Sequence, residues 1–233
     1  ASVVLPLLLA LIADHRRRHG RYLDQMAILE TDAASESRPV AQRQWTRAEM
    51  LRDPRFYVVL PVVLTPSFLN TGLMFHHQHI VTSKGWSLET WYLLLMAYAI
   101  SSITFSMLAG IAVDRNGSRA LMPLFTLPMV IGGLCLMSGS NDAWIFGVLI
   151  SFGAASGMTS AVTAPYWAEV YGVRHLGAIK AVATAVMIFA SAMSPAIYGA
   201  MFDADTSVPA IGMLNVIIVL FSSVCAWLAL RKP

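Results

Sequence analysis

Charge is what this sequence has least of. Only 12% of its 233 residues are Asp, Glu, Lys or Arg while 57% are hydrophobic, against the roughly 25% charged residues of an ordinary soluble domain. That shortage excludes a soluble globular domain, and the net charge of +3 is too small to argue for nucleic acid as a partner. Cysteine is almost missing as well: Cys135 and Cys225 each sit inside an apolar run, so a disulfide framework is excluded and both read as small packing residues. No G-x-S-x-G, P-loop, dinucleotide fingerprint or C-x-x-C occurs, so neither an enzyme nor a cofactor is expected. What the chain has in quantity is apolar length, and it reads as a membrane protein.

The first apolar run, Ser2 to Ala13, falls short of the roughly 20 helical residues that cross a bilayer core. The basic group His15-Arg16-Arg17-Arg18-His19 follows this run, the reverse of a signal peptide. Residues 1–13 are therefore expected to be the last half of a truncated transmembrane helix, and the chain a fragment of a longer protein. Residues 14–53 are polar, carry eight of the sixteen Lys and Arg, and contain the break Ala34-Ser35-Glu36-Ser37-Arg38-Pro39; they read as a cytoplasmic linker. Near its end, Thr46-Arg47-Ala48-Glu49 fits a capping box, and Asp53-Pro54 fits an N-cap followed by proline at the first helical position.

Six apolar spans follow in residues 54–233: Pro54 to His79, Trp91 to Val113, Ala120 to Ser138, Ala143 to Trp167, Ala178 to Met201 and Ala210 to Leu230. Each is long enough to cross with some tilt. If the chain alternates sides, fifteen of the sixteen Lys and Arg fall with the linker and the C-terminus, and Lys84 alone falls opposite, among Glu89, Asp142, Asp203 and Asp205. The positive-inside rule makes the linker side the cytoplasm, with the cell (inner) membrane as the expected location. Trp86, Trp91 and Trp144 at the outer ends, with Trp167 and Trp227 at the inner ends, suit interfacial belts. The expected fold is all-α, a polytopic bundle of six transmembrane helices. Gly153 and Gly157 form a G-x-x-x-G that admits a neighbouring helix backbone, and Pro61, Pro66, Pro123, Pro128, Pro165 and Pro195 permit bends within the spans.

One loop stands apart. Gly110-Ile-Ala-Val-Asp114-Arg115-Asn116-Gly117-Ser118-Arg119 is a charged turn between the second and third spans. Gly117 permits positive φ, and Gly110 permits close approach of another helix. Asp114 at a helix end and Arg119 at a helix start are both disfavoured by their own helix dipoles, so outside partners are expected.

This pattern resembles the cytoplasmic signature of the major facilitator superfamily, G-x-x-x-D-R/K-x-G-R-R/K, with Ser118 in place of a basic residue. The family carries the signature between its second and third helices and again between its eighth and ninth. A basic linker followed by six spans matches the second position, so the chain is similar to the family's C-terminal half. The resemblance implies a secondary active transporter of small solutes working by alternating access. It implies a conformational latch of Gly110, Asp114, Arg115, Gly117, Arg119, Glu169 and Arg174, in which Asp114 meets the start of the span near Ala178 and Arg115 or Arg119 seeks Glu169. The stretch Glu169 to Ile179 resembles the matching loop of monocarboxylate and oxalate/formate-type members, which implies a small organic anion as substrate. The partners implied are that substrate, a coupling proton or ion, the lipid bilayer and a missing N-terminal six-helix half.

No Asp, Glu, Lys or Arg lies near the middle of the six spans, although intramembrane charges usually mark ion or substrate paths; such residues are expected in the missing half. Among the polar groups, Asn70 and His77 share one helix face and His76 and His79 another. Asn70, His77, Tyr98 and Ser102 are the expected substrate-binding set. A histidine metal centre at His76-His77-Gln78-His79 is not expected, because His15, His19 and His175 fall on the other side of the membrane. The alternative to a transporter is a non-transporting membrane receptor or sensor on the same scaffold.

Overall fold

The computed structural model describes residues 43–231, and these are all helix and short connections. The readings made for residues 1–42, including the truncated helix and most of the linker, lie outside the described residues. The helices are α1 (Arg47–Met50), α2 (Pro54–Phe75), α3 (His77–Lys84), α4 (Leu88–Asn116), α5 (Ser118–Leu121), α6 (Pro128–Met137), α7 (Ala143–Tyr171), α8 (Leu176–Asp203) and α9 (Val208–Arg231).

The starts follow their sequence signals. Thr46 and Glu49 close the capping box on α1, with the Glu49 amide donating to Thr46 Oγ1 at 3.3 Å and the Thr46 amide donating to Glu49 Oε2 at 2.8 Å. Asp53 caps α2 by accepting the Arg55 amide at 3.0 Å, with Pro54 at the first helical position. Ser87 caps α4 by accepting the Thr90 amide at 3.2 Å.

Five helices, α2, α4, α7, α8 and α9, are long and apolar enough to cross a membrane, whereas α6 has only ten residues. Ten residues rise about 15 Å, half a bilayer core. The contacts between α4 and α7 show how the third of the six expected crossings is made. Thr90 meets Asp142, Ser101 meets Ile150, Tyr98 meets Ser156, and Ser118 meets Glu169. Both helices therefore run in the same direction, and the chain between them must return the full length of the bundle. It does so in pieces, α5, a run of turns over residues 122–127, and α6. Pro123 and Pro128 explain the break, since neither has an amide to continue the ladder. Three-residue bonds such as Leu127 N–H to Leu124 O at 3.1 Å replace it.

Close packing needs small residues at the crossing points. A Cβ at Gly153 would stand 2.5 Å from the Tyr98 carbonyl oxygen, and one at Gly157 would fall on that of Ser102. The G-x-x-x-G thus lets α4 lie backbone-to-backbone on α7. At Gly110 an added Cβ would meet nothing, so within the described residues that glycine is not a close-packing position. At the end of the bundle away from the 110–119 turn, Asp142 ties the start of α4 to that of α7, accepting the Ser87 amide at 3.0 Å and the Thr90 hydroxyl at 3.1 Å. Beside it Lys84 donates to the Ser138 carbonyl and stands over the Trp86 ring, and desolvation there lowers its pKa.

Candidate functional site: the charged turn and the polar seam

Helix α4 ends where Gly117 takes φ 78, a left-handed conformation open to glycine at little cost. The next residue starts α5, whose first amide has no partner within its own helix. Glu169 of α7 supplies one: its Oε1 accepts the Ser118 amide at 3.0 Å, and its backbone carbonyl accepts Arg119 Nη2 at 3.0 Å. The expected link from Arg119 to Glu169 is made, but through the Glu169 carbonyl, while the carboxylate serves a backbone donor. Arg115 and Asp114 are exposed. The start of α8, where the resemblance places the partner of Asp114, has no side-chain cap from His175, the residue that precedes it.

Ser118 occupies the position where the signature has a basic residue. It is fully buried, and its Oγ has no hydrogen-bond partner. Ser118→Ala is therefore expected to keep or slightly raise the unfolding temperature, because it removes an unsatisfied buried hydroxyl and leaves the amide bond to Glu169 intact. A loss above about 1 kcal/mol in thermal unfolding would contradict that reading.

Beyond the turn, α7 ends at Gly172, φ 83. Here the last part of the region read as linker is built into the bundle. The Gln44 amide oxygen accepts the Arg174 amide at 3.0 Å, Trp45 N–H donates to the Tyr171 carbonyl at 3.0 Å, and the two rings meet edge-on at 5.5 Å. Met50 is fully buried beside Phe56 and Tyr171. Tyr171 Oη donates to Asp53 Oδ2 at 3.2 Å. A side chain at Gly172 would collide with the Gln44 amide. Sequence spacing gave no sign of this clasp, because it pairs residues more than a hundred positions apart.

The four expected binding residues do not share a hydrogen bond with one another among the described residues. Tyr98 Oη donates to Ser156 Oγ at 2.9 Å. Ser102 lies half-buried against Gly157. His77 Nδ1 donates to the Met74 carbonyl at 2.7 Å, since a carbonyl can only accept, and Nε2 shares a hydrogen bond of 3.2 Å with Tyr92 Oη. Trp91 stacks on the same ring. Asn70 Oδ1 is buried without a partner.

What the fold brings together instead is an uncharged polar seam between α2, α8 and α9. Thr71 Oγ1 and Ser191 Oγ share a hydrogen bond of 2.7 Å, Ser194 Oγ donates to the Phe68 carbonyl at 2.6 Å, and His76 Nε2 donates to the Pro195 carbonyl at 2.9 Å. Tyr198 Oη donates to Asn215 Oδ1 at 2.6 Å, and Asn215 Nδ2, fully buried, has no partner. The i, i+3, i+7 spacing of Ser191, Ser194 and Tyr198 was the legible signal for this seam; Asn215 was missed. Among the described residues no group of three or more His, Cys, Asp or Glu could hold a metal.

Helices of membrane-crossing length, a return crossing broken by prolines and a charged turn fastened to a neighbouring helix define a polytopic membrane protein of the helix-bundle type. The Major Facilitator Superfamily model matches residues 56–233, and the chain belongs to that family. A comparison with curated proteins gives no match.

Proposed function

We propose that this chain is the C-terminal six-helix half of a secondary active transporter that moves a small solute by alternating access, with the 110–119 turn on the cytoplasmic side as its latch. The observation that carries the reading is the turn's attachment: Glu169 holds the start of α5 through Ser118 and Arg119, while Asp114 and Arg115 stand exposed. A turn fixed to its own half with free charges on its face is suited to make and break contact with a moving partner, here the N-terminal six-helix half. Asp114 would then engage a helix start in only one of the two states.

The substrate is a small polar solute, a small organic anion such as a monocarboxylate in the branch that the 169–179 loop resembles. Asn70 and Asn215 support the polar part of this reading, since each keeps a buried polar atom unsatisfied, a loss of about 1–3 kcal/mol that a bound solute would recover. The charge that would recognise an anion, and any group coupling transport to a proton or ion, would come from the other half, because the six crossings carry no charge near their middles.

The test is uptake of labelled carboxylates and neutral solutes into proteoliposomes of the intact transporter. Asp114→Asn is expected to lower uptake about tenfold at equal expression, within the 1–3 kcal/mol typical of coupling between conformational states. Uptake at the parent rate would remove the latch.

A further inference from the structure

Because α4 packs along α7 and not along α6, the side of the bundle between α4 and the broken crossing is left open. Two cavities of about 220 and 580 Å³ lie there, and they share Phe105 and Leu124, forming one trough. Its floor is α7 from Gly147 to Val162, about 22 Å of helix rise. The lining is apolar except for Ser151, whose hydroxyl is already committed to the Val148 carbonyl at 2.9 Å. Its walls are open: Leu108 is 52% and Leu124 51% exposed.

The trough lies between membrane-crossing segments, so it stands at bilayer depth, where an empty apolar cleft forfeits dispersion contacts along its whole length. One end has a distinct chemistry. On α4, Ala112 lines the trough, and Arg115 follows three residues later on the same helix face. Across the mouth, Arg119 is held on α7 by the Glu169 carbonyl, about two turns beyond Val162, the last floor residue, and keeps the rest of a five-donor guanidinium. At this end Glu169 sets one negative charge against the two guanidinium groups, which leaves the mouth positive. The Glu169 carboxylate holds the Ser118 amide, and Asp114 lies on the other side of α4, in line with the exposed Met107 and Ile111.

We propose that this trough is a lipid site: an acyl chain of an anionic glycerophospholipid lies between α4 and the broken crossing, and its phosphate is bound by Arg115 and Arg119. Charge complementarity favours an anionic over a zwitterionic headgroup, and such lipids are enriched in the cytoplasmic leaflet. Only the choice of leaflet rests on the orientation proposed above; the site itself does not.

The test uses the intact transporter purified in detergent and loaded with phosphatidylglycerol or phosphatidylcholine of identical chains, with retained lipid counted by native mass spectrometry. Phosphatidylglycerol is expected to be retained at least fivefold over phosphatidylcholine. The pair Arg115→Gln and Arg119→Gln brings it down to the phosphatidylcholine level, and Leu108→Trp, which fills the trough from an exposed position, lowers retention of both lipids. Equal retention of the two lipids by the parent chain overturns the proposal, as does retention unchanged by Leu108→Trp in a variant that unfolds at the parent temperature. Because lipid retention in detergent needs neither transport nor a defined sidedness, a negative result leaves the transport reading standing, and loss of that reading leaves this one.

Discussion

Gly157→Val is expected to prevent α4 and α7 from docking, with loss of monodisperse protein or a large fall in the unfolding temperature. The atoms in the way belong to backbone. A Cβ at this position falls on the Ser102 carbonyl oxygen and 2.8 Å from its carbon, and a main-chain carbonyl inside a helix cannot rotate aside as a side chain can. Overpacking usually costs about 1–3 kcal/mol when side chains can yield; here a whole helix must move, which places the loss at or above that range. It would also separate the Tyr98–Ser156 and Ser101–Ile150 hydrogen bonds, both made across the same contact. Gly110→Ala supplies the contrast, because a Cβ there meets nothing, and it should unfold with the parent. If the two variants unfold alike, the crossing at Gly157 is looser than these distances require.

The second large effect belongs to Asp53→Ala. Asp53 is 8% exposed, and its two oxygens have separate duties, the α2 cap at Arg55 and the hydroxyl of fully buried Tyr171. Losing a cap costs about 1 kcal/mol, and stranding a buried hydroxyl costs about 1–3 kcal/mol. The sum, about 2–4 kcal/mol, is large for one polar residue. A double-mutant cycle separates the parts. In a Tyr171→Phe background there is no hydroxyl to strand, so Asp53→Ala should then cost only the cap. Equal losses in both backgrounds would show that Tyr171 takes nothing from Asp53.

How far the sequence anticipated this structure depends on whether the cause was local. The caps at Thr46 and Asp53 were legible because their partners lie two or three residues away. The G-x-x-x-G was legible as a contact point, though not which helix would use it. The third crossing was legible by length and by the alternation of basic loops, and Pro123 and Pro128 were visible in it; that they break it into two helices depends on how residues 122–127 satisfy their backbone. The helix-face arithmetic separated His76 from His77 correctly, since one faces α8 through Pro195 and the other α4 through Tyr92. It favoured the face of Asn70 and His77, whereas the denser hydrogen bonding lies on the face of Thr71 and His76. Nothing local distinguishes the two faces; the choice is made by Ser191, Ser194 and Asn215, each more than a hundred residues away. For the same reason Gln44 and Trp45 read as linker, although they close the end of α7.

That closure moves the practical boundary of the bundle. The compact unit begins at Gln44, with Trp45, Met50 and Asp53 all engaged by it. For anyone placing a protease site, an epitope or a fluorescent insertion, the ten residues from Gln44 to Asp53 are masonry: a cut there opens the wall of the bundle itself.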